Sequence, residues 1–158
     1  MTGIPATTSP NPSPVTITQD TGNVAGHNQA GDRFGAAIAV GNLDGDGFAD
    51  IVVGTPGEDE AGGRVTIVFG SREGLPTASG PIYSQDTLGV QGHLTPGHHF
   101  GASVALLGAG GDGRPPDLLV TAPGSSPSLF RLPGRPGGFT GSGASARLSA
   151  GKATLGVG

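Results

Sequence analysis

The chain repeats itself at an offset of 66 residues, and this period constrains its fold more than any other feature. Gln19-Asp20-Thr21 falls on Gln85-Asp86-Thr87, and Val24, Gly26 and His27 fall on Val90, Gly92 and His93. Phe34-Gly35-Ala36 falls on Phe100-Gly101-Ala102, followed by Ile38-Ala39-Val40 against Val104-Ala105-Leu106. One residue later in register, Asp50-Ile51-Val52-Val53 matches Asp117-Leu118-Leu119-Val120, and Pro56-Gly57 matches Pro123-Gly124. Thr154-Leu155-Gly156-Val157 repeats Thr87-Leu88-Gly89-Val90 as a third trace. Self-similarity of this length marks a supersecondary unit stacked against copies of itself.

The period overrules the composition. The 32 glycines and 14 prolines among 158 residues would mark a disordered chain only if no repeat existed. Each unit reads as short strands and no helix. Ala36 to Val40 is small and apolar, Asp50 to Gly54 is apolar and β-branched, and a further strand lies near Ile82 to Gln85. Gly63 to Phe69 alternates, with Val65, Ile67 and Phe69 on one face and Arg64, Thr66 and Val68 on the other. Four strands in about sixty residues is the arithmetic of a propeller blade. A β-sandwich predicts no internal repeat. The expected fold is therefore all-β, a partial β-propeller of about two four-stranded antiparallel blades. The expected division is a Pro/Ser/Thr-rich lead-in over 1–14, a first repeat over 15–79 and a second over 80–158.

A nine-residue loop in the first repeat carries the chemistry. Asn42, Asp44, Asp46 and Asp50 stand at its positions 1, 3, 5 and 9, with Gly45 and Gly47 between. Oxygen side chains at alternate positions of a glycine-containing loop can wrap one hard cation. Calcium takes roughly six to eight oxygens and tolerates irregular geometry. The four side chains, the Phe48 carbonyl at position 7 and a water reach that number. Position 12 is Val53 rather than Glu, and a strand follows where a helix should, so the loop is not an EF-hand. A plain Asp-Gly hairpin turn is the competing reading. It leaves three carboxylates within seven positions repelling one another without a cation. In the second repeat only Asp112 and Asp117 remain, with Gly108 and Gly110 at other ligand positions and Pro115-Pro116 stiffening the loop. Those two form at best a weak second site.

The runs Asp32-Arg33-Phe34-Gly35 and Gly41-Asn42-Leu43-Asp44-Gly45-Asp46-Gly47-Phe48-Ala49-Asp50-Ile51-Val52-Val53-Gly54-Thr55-Pro56 resemble an FG-GAP repeat. That family includes integrin α-subunit propellers and secreted bacterial proteins. Phe34-Gly35 matches its "FG" and Gly54-Thr55-Pro56 its "GAP". Phe100-Gly101 and Thr121-Ala122-Pro123 form a more degenerate second copy. The resemblance implies propeller blades, calcium between the first two strands, and extracellular binding or adhesion. It also makes Asn42 a replacement for the usual Asp, with weaker ion binding expected. Independently of the family, a Phe followed by Gly supplies an apolar plug beside a point of close backbone approach, which fills the space between blades.

Other motifs carry less. Gly108 to Gly113 satisfies G-x-G-x-x-G, yet Pro115-Pro116 and an apolar strand follow, so no helix N-terminus is available for a dinucleotide. Ser149-Ala150-Gly151-Lys152 fits S-x-x-K without its companion motifs. His98-His99 reads as a solvated pair, His27 and His93 as structural loop residues, and Glu58-Asp59-Glu60 as a solvated acidic tip. No Ser-His-Asp spacing appears, and no enzymatic activity is expected. A net charge of −4 gives no footprint for nucleic acid or an anionic membrane. The absence of cysteine excludes disulfides and thiolate metal sites. No apolar run approaches the roughly 18 residues of a membrane span, and Met1 to Pro14 lacks the pattern of a signal peptide.

The expectation is a calcium-binding module for an extracellular or cell-surface partner, a protein or surface ligand. Alternatives are an accessory propeller piece of a secreted hydrolase of esterase or phospholipase type, or a structural piece of a larger propeller. Exposed blade edges predict further blades or self-association.

Overall fold

A computed structural model describes residues 14–75, 79–108, 113–141, 145–149 and 152–154. Two antiparallel sheets dominate. The first holds β1 (Ala37–Gly41), β2 (Asp50–Thr55), β3 (Arg64–Val68) and β4 (Ser79–Tyr83), neighbours in that order. The second holds β5 (Ser103–Leu107), β6 (Asp117–Ala122), β7 (Ser128–Leu132), β10 (Ser145–Ser149) and β11 (Lys152–Thr154), also in meander order. Between β7 and β10 sits a small hairpin of β8 (Gly134–Arg135) and β9 (Gly138–Phe139). The all-β reading and the two blades are present, with two refinements. The second sheet has five strands rather than four, and the first runs on to Tyr83. Leu155 to Val157, the tail of the third repeat trace, lies outside the described residues.

The repeat is kept in the strand register. Val53 pairs with Thr66 in the first blade, and its repeat partner Val120 pairs with Phe130 in the second. The shared register fixes which face each side chain takes, because side chains alternate along a strand. Val52, Val65 and Ile67 of the first blade meet Leu118, Val120, Ala122, Phe130 and Leu132 of the second in one core. Val53 and Val68 point the other way, into a smaller cluster covered by Ile17, Val24 and Phe34. The predicted alternation of Val65 and Ile67 against Val68 is therefore what divides the two clusters.

One helical turn appears where only loop was expected, α1 (Glu58–Ala61). It is left-handed: Asp59, Glu60 and Ala61 have φ of 52°, 56° and 63°. Such a conformation costs about 1–2 kcal/mol per non-glycine residue and must be held from outside. The second blade holds it. The amides of Gly97, His99 and Phe100 donate to the carbonyls of Glu60, Ala61 and Gly62 at 2.8–3.1 Å.

Candidate metal site

Asp50 opens β2 and is buried at the base of the β1–β2 loop. Its Oδ2 accepts the Leu43 amide at 2.6 Å and its Oδ1 accepts the Gly70 amide at 3.0 Å. It thereby ties the loop to the segment that follows β3. Burial raises its carboxyl above the ordinary aspartate range, against those two amides, and the charges of Asp44 and Asp46 push it further the same way. Asp50 therefore senses the two acids of the loop above it.

The rest of the loop is a ladder of Asx turns on the exposed side. Asn42 Oδ1 accepts the Gly45 amide at 2.7 Å, Asp44 Oδ1 the Asp46 amide at 3.0 Å, and Asp46 Oδ1 the Phe48 amide at 2.8 Å. Gly45 and Gly47 take left-handed φ of 85° and 90°, which curls the chain around the alternating oxygens. Leu43 points inward and is buried in the interblade core. Among the described residues no three Asp, Glu or His side chains converge at metal-ligating distance, the carboxylates of this loop included. Each is instead satisfied by a neighbouring amide. The donor chemistry is nonetheless that of a hard cation: oxygen only, with a second carboxylate oxygen on Asp44 and on Asp46 beyond the one each gives to its turn.

The second loop is built differently. Asp112 lies outside the described residues. Asp117 matches Asp50, and its Oδ1 accepts the Gly134 amide at 2.9 Å, as Asp50 accepts Gly70. Its other oxygen is taken by the Arg131 guanidinium, with Nε at 2.7 Å. Partial burial alone would raise this carboxyl, but the Gly134 amide and Arg131 outweigh it and hold the group below the usual aspartate range. Asp117 thus carries its own counter-ion.

Comparison with known proteins meets this geometry at one segment, a match to the FG-GAP repeat family over residues 34–68. These residues are an FG-GAP repeat. The match opens at Phe34 and closes with β3, so it takes in the whole candidate metal loop. Among curated proteins, phosphatidylinositol-glycan-specific phospholipase D of Bos taurus is 37% identical over 95 residues, 58% of this chain and 11% of that protein. The same enzyme of Rattus norvegicus is 38% identical over 95 residues, again 58% and 11%. Integrin alpha-M of Mus musculus is 36% identical over 106 residues, 66% of this chain and 8% of the integrin. The chain thus matches only about a tenth of the length of these relatives.

The FG-GAP residues act as the close-approach reading requires. Phe100 is fully buried between the blades, edge-on to Phe130 at a ring separation of 5.2 Å. A Cβ on Gly101 would lie 2.4 Å from the Arg64 carbonyl oxygen, and one on Gly54 would lie 2.1 Å from the Gly101 oxygen. The "FG" glycine of one blade and the "GAP" glycine of the other are where the two backbones touch.

Some readings need correction. His98 and His99 are half-buried rather than solvated: His98 Nδ1 lies 2.9 Å from Gln85 Oε1, and His99 Nδ1 lies 3.2 Å from the Pro56 carbonyl of the first blade. Glu58 is no part of a solvated tip. It is 3% exposed, accepts from Gln19 Nε2 at 2.9 Å and pairs with Arg64 at 3.1 Å. The turn around it closes because tertiary contacts hold its backbone, a cause absent from local charge.

Sequence reasoning missed the β8–β9 hairpin altogether. It reaches back onto the first blade, where Phe139 packs edge-on to Tyr83 at 5.6 Å. The Phe139 amide donates to the Tyr83 hydroxyl at 2.7 Å, and the Gly137 amide donates to the Leu43 carbonyl at 3.0 Å. The second blade thus braces the metal loop of the first. The signal available was the turn run Pro133-Gly134-Arg135-Pro136-Gly137-Gly138 followed by one large aromatic.

Proposed function

We propose that the chain is a calcium-binding FG-GAP β-propeller module of an extracellular or cell-surface protein, and that it serves binding rather than catalysis. The observation that carries this reading is the loop of Asn42, Asp44, Asp46 and Asp50. It curls three oxygen side chains, Asn42, Asp44 and Asp46, on one hairpin over the buried Asp50 carboxylate, whose ionised form is disfavoured by desolvation. A divalent cation there would favour that ionised form and relieve the repulsion among the three acids. Asn42, Asp44, Asp46, Asp50 and the Phe48 carbonyl would hold it. Asp44 and Asp46 would draw in from their turns, and a bound cation would hold the loop against β2.

Match to an FG-GAP repeat and similarity to an integrin α-subunit support the extracellular and adhesive side of the reading. No helix among the described residues is long and apolar enough to cross a membrane. The partner is a protein or surface ligand met at the blade-edge loops, and further blades or a second copy of the chain meet the open blade faces.

Calorimetric titration of the metal-free chain with calcium tests the central claim. Saturable binding and a rise in unfolding midpoint are expected, with Asp46→Asn reducing both and Asp117→Asn reducing neither. A flat titration with an unchanged midpoint refutes calcium binding. Similarity to phosphatidylinositol-glycan-specific phospholipase D favours a second reading, an accessory propeller segment of a secreted hydrolase. Phospholipase and esterase assays on this chain should then read zero. Activity that depends on Ser103 would overturn both readings.

A further inference from the structure

The two repeats differ most in chemistry at the end of the strands away from the metal loop. In the first blade the buried amide of Gln19 donates to the Glu58 carboxylate, which Arg64 neutralises, with Asp32 beside it. The strand register gives the equivalent positions in the second blade: Gln85 for Gln19, His98 for Asp32 and Ser128 for Arg64. The loop that brings Glu58 inward is shortened there. Pro56 to Gly63 joins β2 to β3, but only Pro123 to Pro127 joins β6 to β7. No acid stands in that loop.

A cavity of about 250 Å³ occupies the place, lined by Gln85, His93, His98, Ser126, Ser128 and Phe130 among others. None of its lining residues is acidic. Its buried wall is the Gln85 amide, 5% exposed, whose Oε1 lies 2.9 Å from His98 Nδ1. An amide oxygen only accepts, so His98 carries a hydrogen on Nδ1 and turns its other ring nitrogen away from Gln85. The exchange of Asp32 for His98 removes one of the two acids, Asp32 and Asp59, that oppose the Glu58 carboxylate in the first blade.

We propose that this cavity is a carboxylate-binding pocket, taking from outside the chain the group that Glu58 supplies from within in the first blade. The donors are the Gln85 amide nitrogen, the hydroxyls of Ser126 and Ser128 and, when both ring nitrogens carry a hydrogen, His98 Nε2, with Phe130 as the apolar floor. The carboxylate belongs to a small free acid or to an acidic side chain of a partner, and the chemistry at the pocket is the same. The pocket is independent of the calcium reading, since it shares no residue with the Asn42–Asp50 loop.

The test is an NMR titration of the full chain at fixed pH and ionic strength, following the His98 ring and Gln85 side-chain amide signals. The probes are sodium acetate, a blocked Ala-Glu-Ala tripeptide and blocked Ala-Gln-Ala. Saturable shifts with acetate and the Glu peptide, and none with the Gln peptide, are expected. Tighter binding of the Glu peptide identifies a side chain as the source; equal binding identifies the free acid. His98→Asp, which restores the residue of the first blade, should weaken binding at least about tenfold, the scale of one lost charge-assisted hydrogen bond. Ser126→Glu should fill the pocket from within, abolish binding and raise the unfolding midpoint, which keeps the test decisive if His98→Asp fails to fold. No saturable shift, equal binding of the Gln peptide, or unchanged binding by a folded His98→Asp or Ser126→Glu chain overturns the proposal.

Discussion

Phe34 and Phe100 occupy the same position of the two repeats, yet only Phe100 is sealed. Phe100 has a blade on each side of it, while Phe34 is half-buried against Val53 and Val68 of its own blade. The neighbouring glycines differ in the same way. A Cβ on Gly101 would strike the backbone of the first blade at 2.4 Å, whereas one on Gly35 would meet nothing within 4 Å. The opposite faces show the converse. Gly54 lets the second blade approach the first, while the equivalent position of the second blade is Thr121, whose side chain stands half-buried. Local sequence builds the blade, but contact with a neighbour decides what each motif residue contributes to stability.

The largest expected effect breaks the comparison directly. Phe100→Ala should cost about 3–5 kcal/mol, the usual range for a buried phenylalanine, and Phe34→Ala less than half of that. Urea denaturation of the two variants measures it; equal losses would mean that the interblade core is not what Phe100 stabilises. Next comes the glycine exchange. Gly54→Thr should cost at least about 2–3 kcal/mol, because its Cβ meets the Gly101 carbonyl at 2.1 Å and the blades must separate. The reverse change, Thr121→Gly, should cost no more than about 1 kcal/mol, the scale of added backbone freedom. A well-tolerated Gly54→Thr would refute the close approach of the two blades.

The smallest effects sharpen the contrast in acids. Burial raises the Glu58 carboxyl above its ordinary value of 4.5, so the folded chain holds that proton more tightly than the unfolded chain. Its ionisation then lowers stability as pH rises from 4.5 through the folded value. Relative to Glu58→Gln, the wild type should lose ground across that window. Asp117 is held below its ordinary 3.8, so it contributes stability above that value and loses it as pH falls through the lower folded one. Relative to Asp117→Asn, the wild type should gain ground as pH rises to 3.8. With Arg131 largely exposed, this second effect stays within about 1 kcal/mol. Thermal melts from pH 2 to 7 read both, and slopes of the same sign would contradict the assigned environments.

How much was legible follows from which forces are local. The strands, their alternation and the Asx-rich loop were readable, because apolar spacing and glycine at left-handed positions act within a few residues. The fate of His98-His99 and Glu58 was not, since their partners Gln85, Pro56, Gln19 and Arg64 belong to other elements. Nor was the β8–β9 hairpin, whose purpose rests on Tyr83, more than fifty residues earlier.

By itself the sequence determined two like units of short antiparallel strands, one carrying an oxygen-rich hairpin loop, because a repeated pattern of apolar alternation and turn residues admits little else. Only the tertiary structure decided that a left-handed turn docks one blade on the next, that a later hairpin braces the metal loop, and that loss of Glu58 and Arg64 in the second copy leaves a cavity. Those outcomes depend on packing between segments distant in the chain, where the energy of a contact is set by what else fills the space.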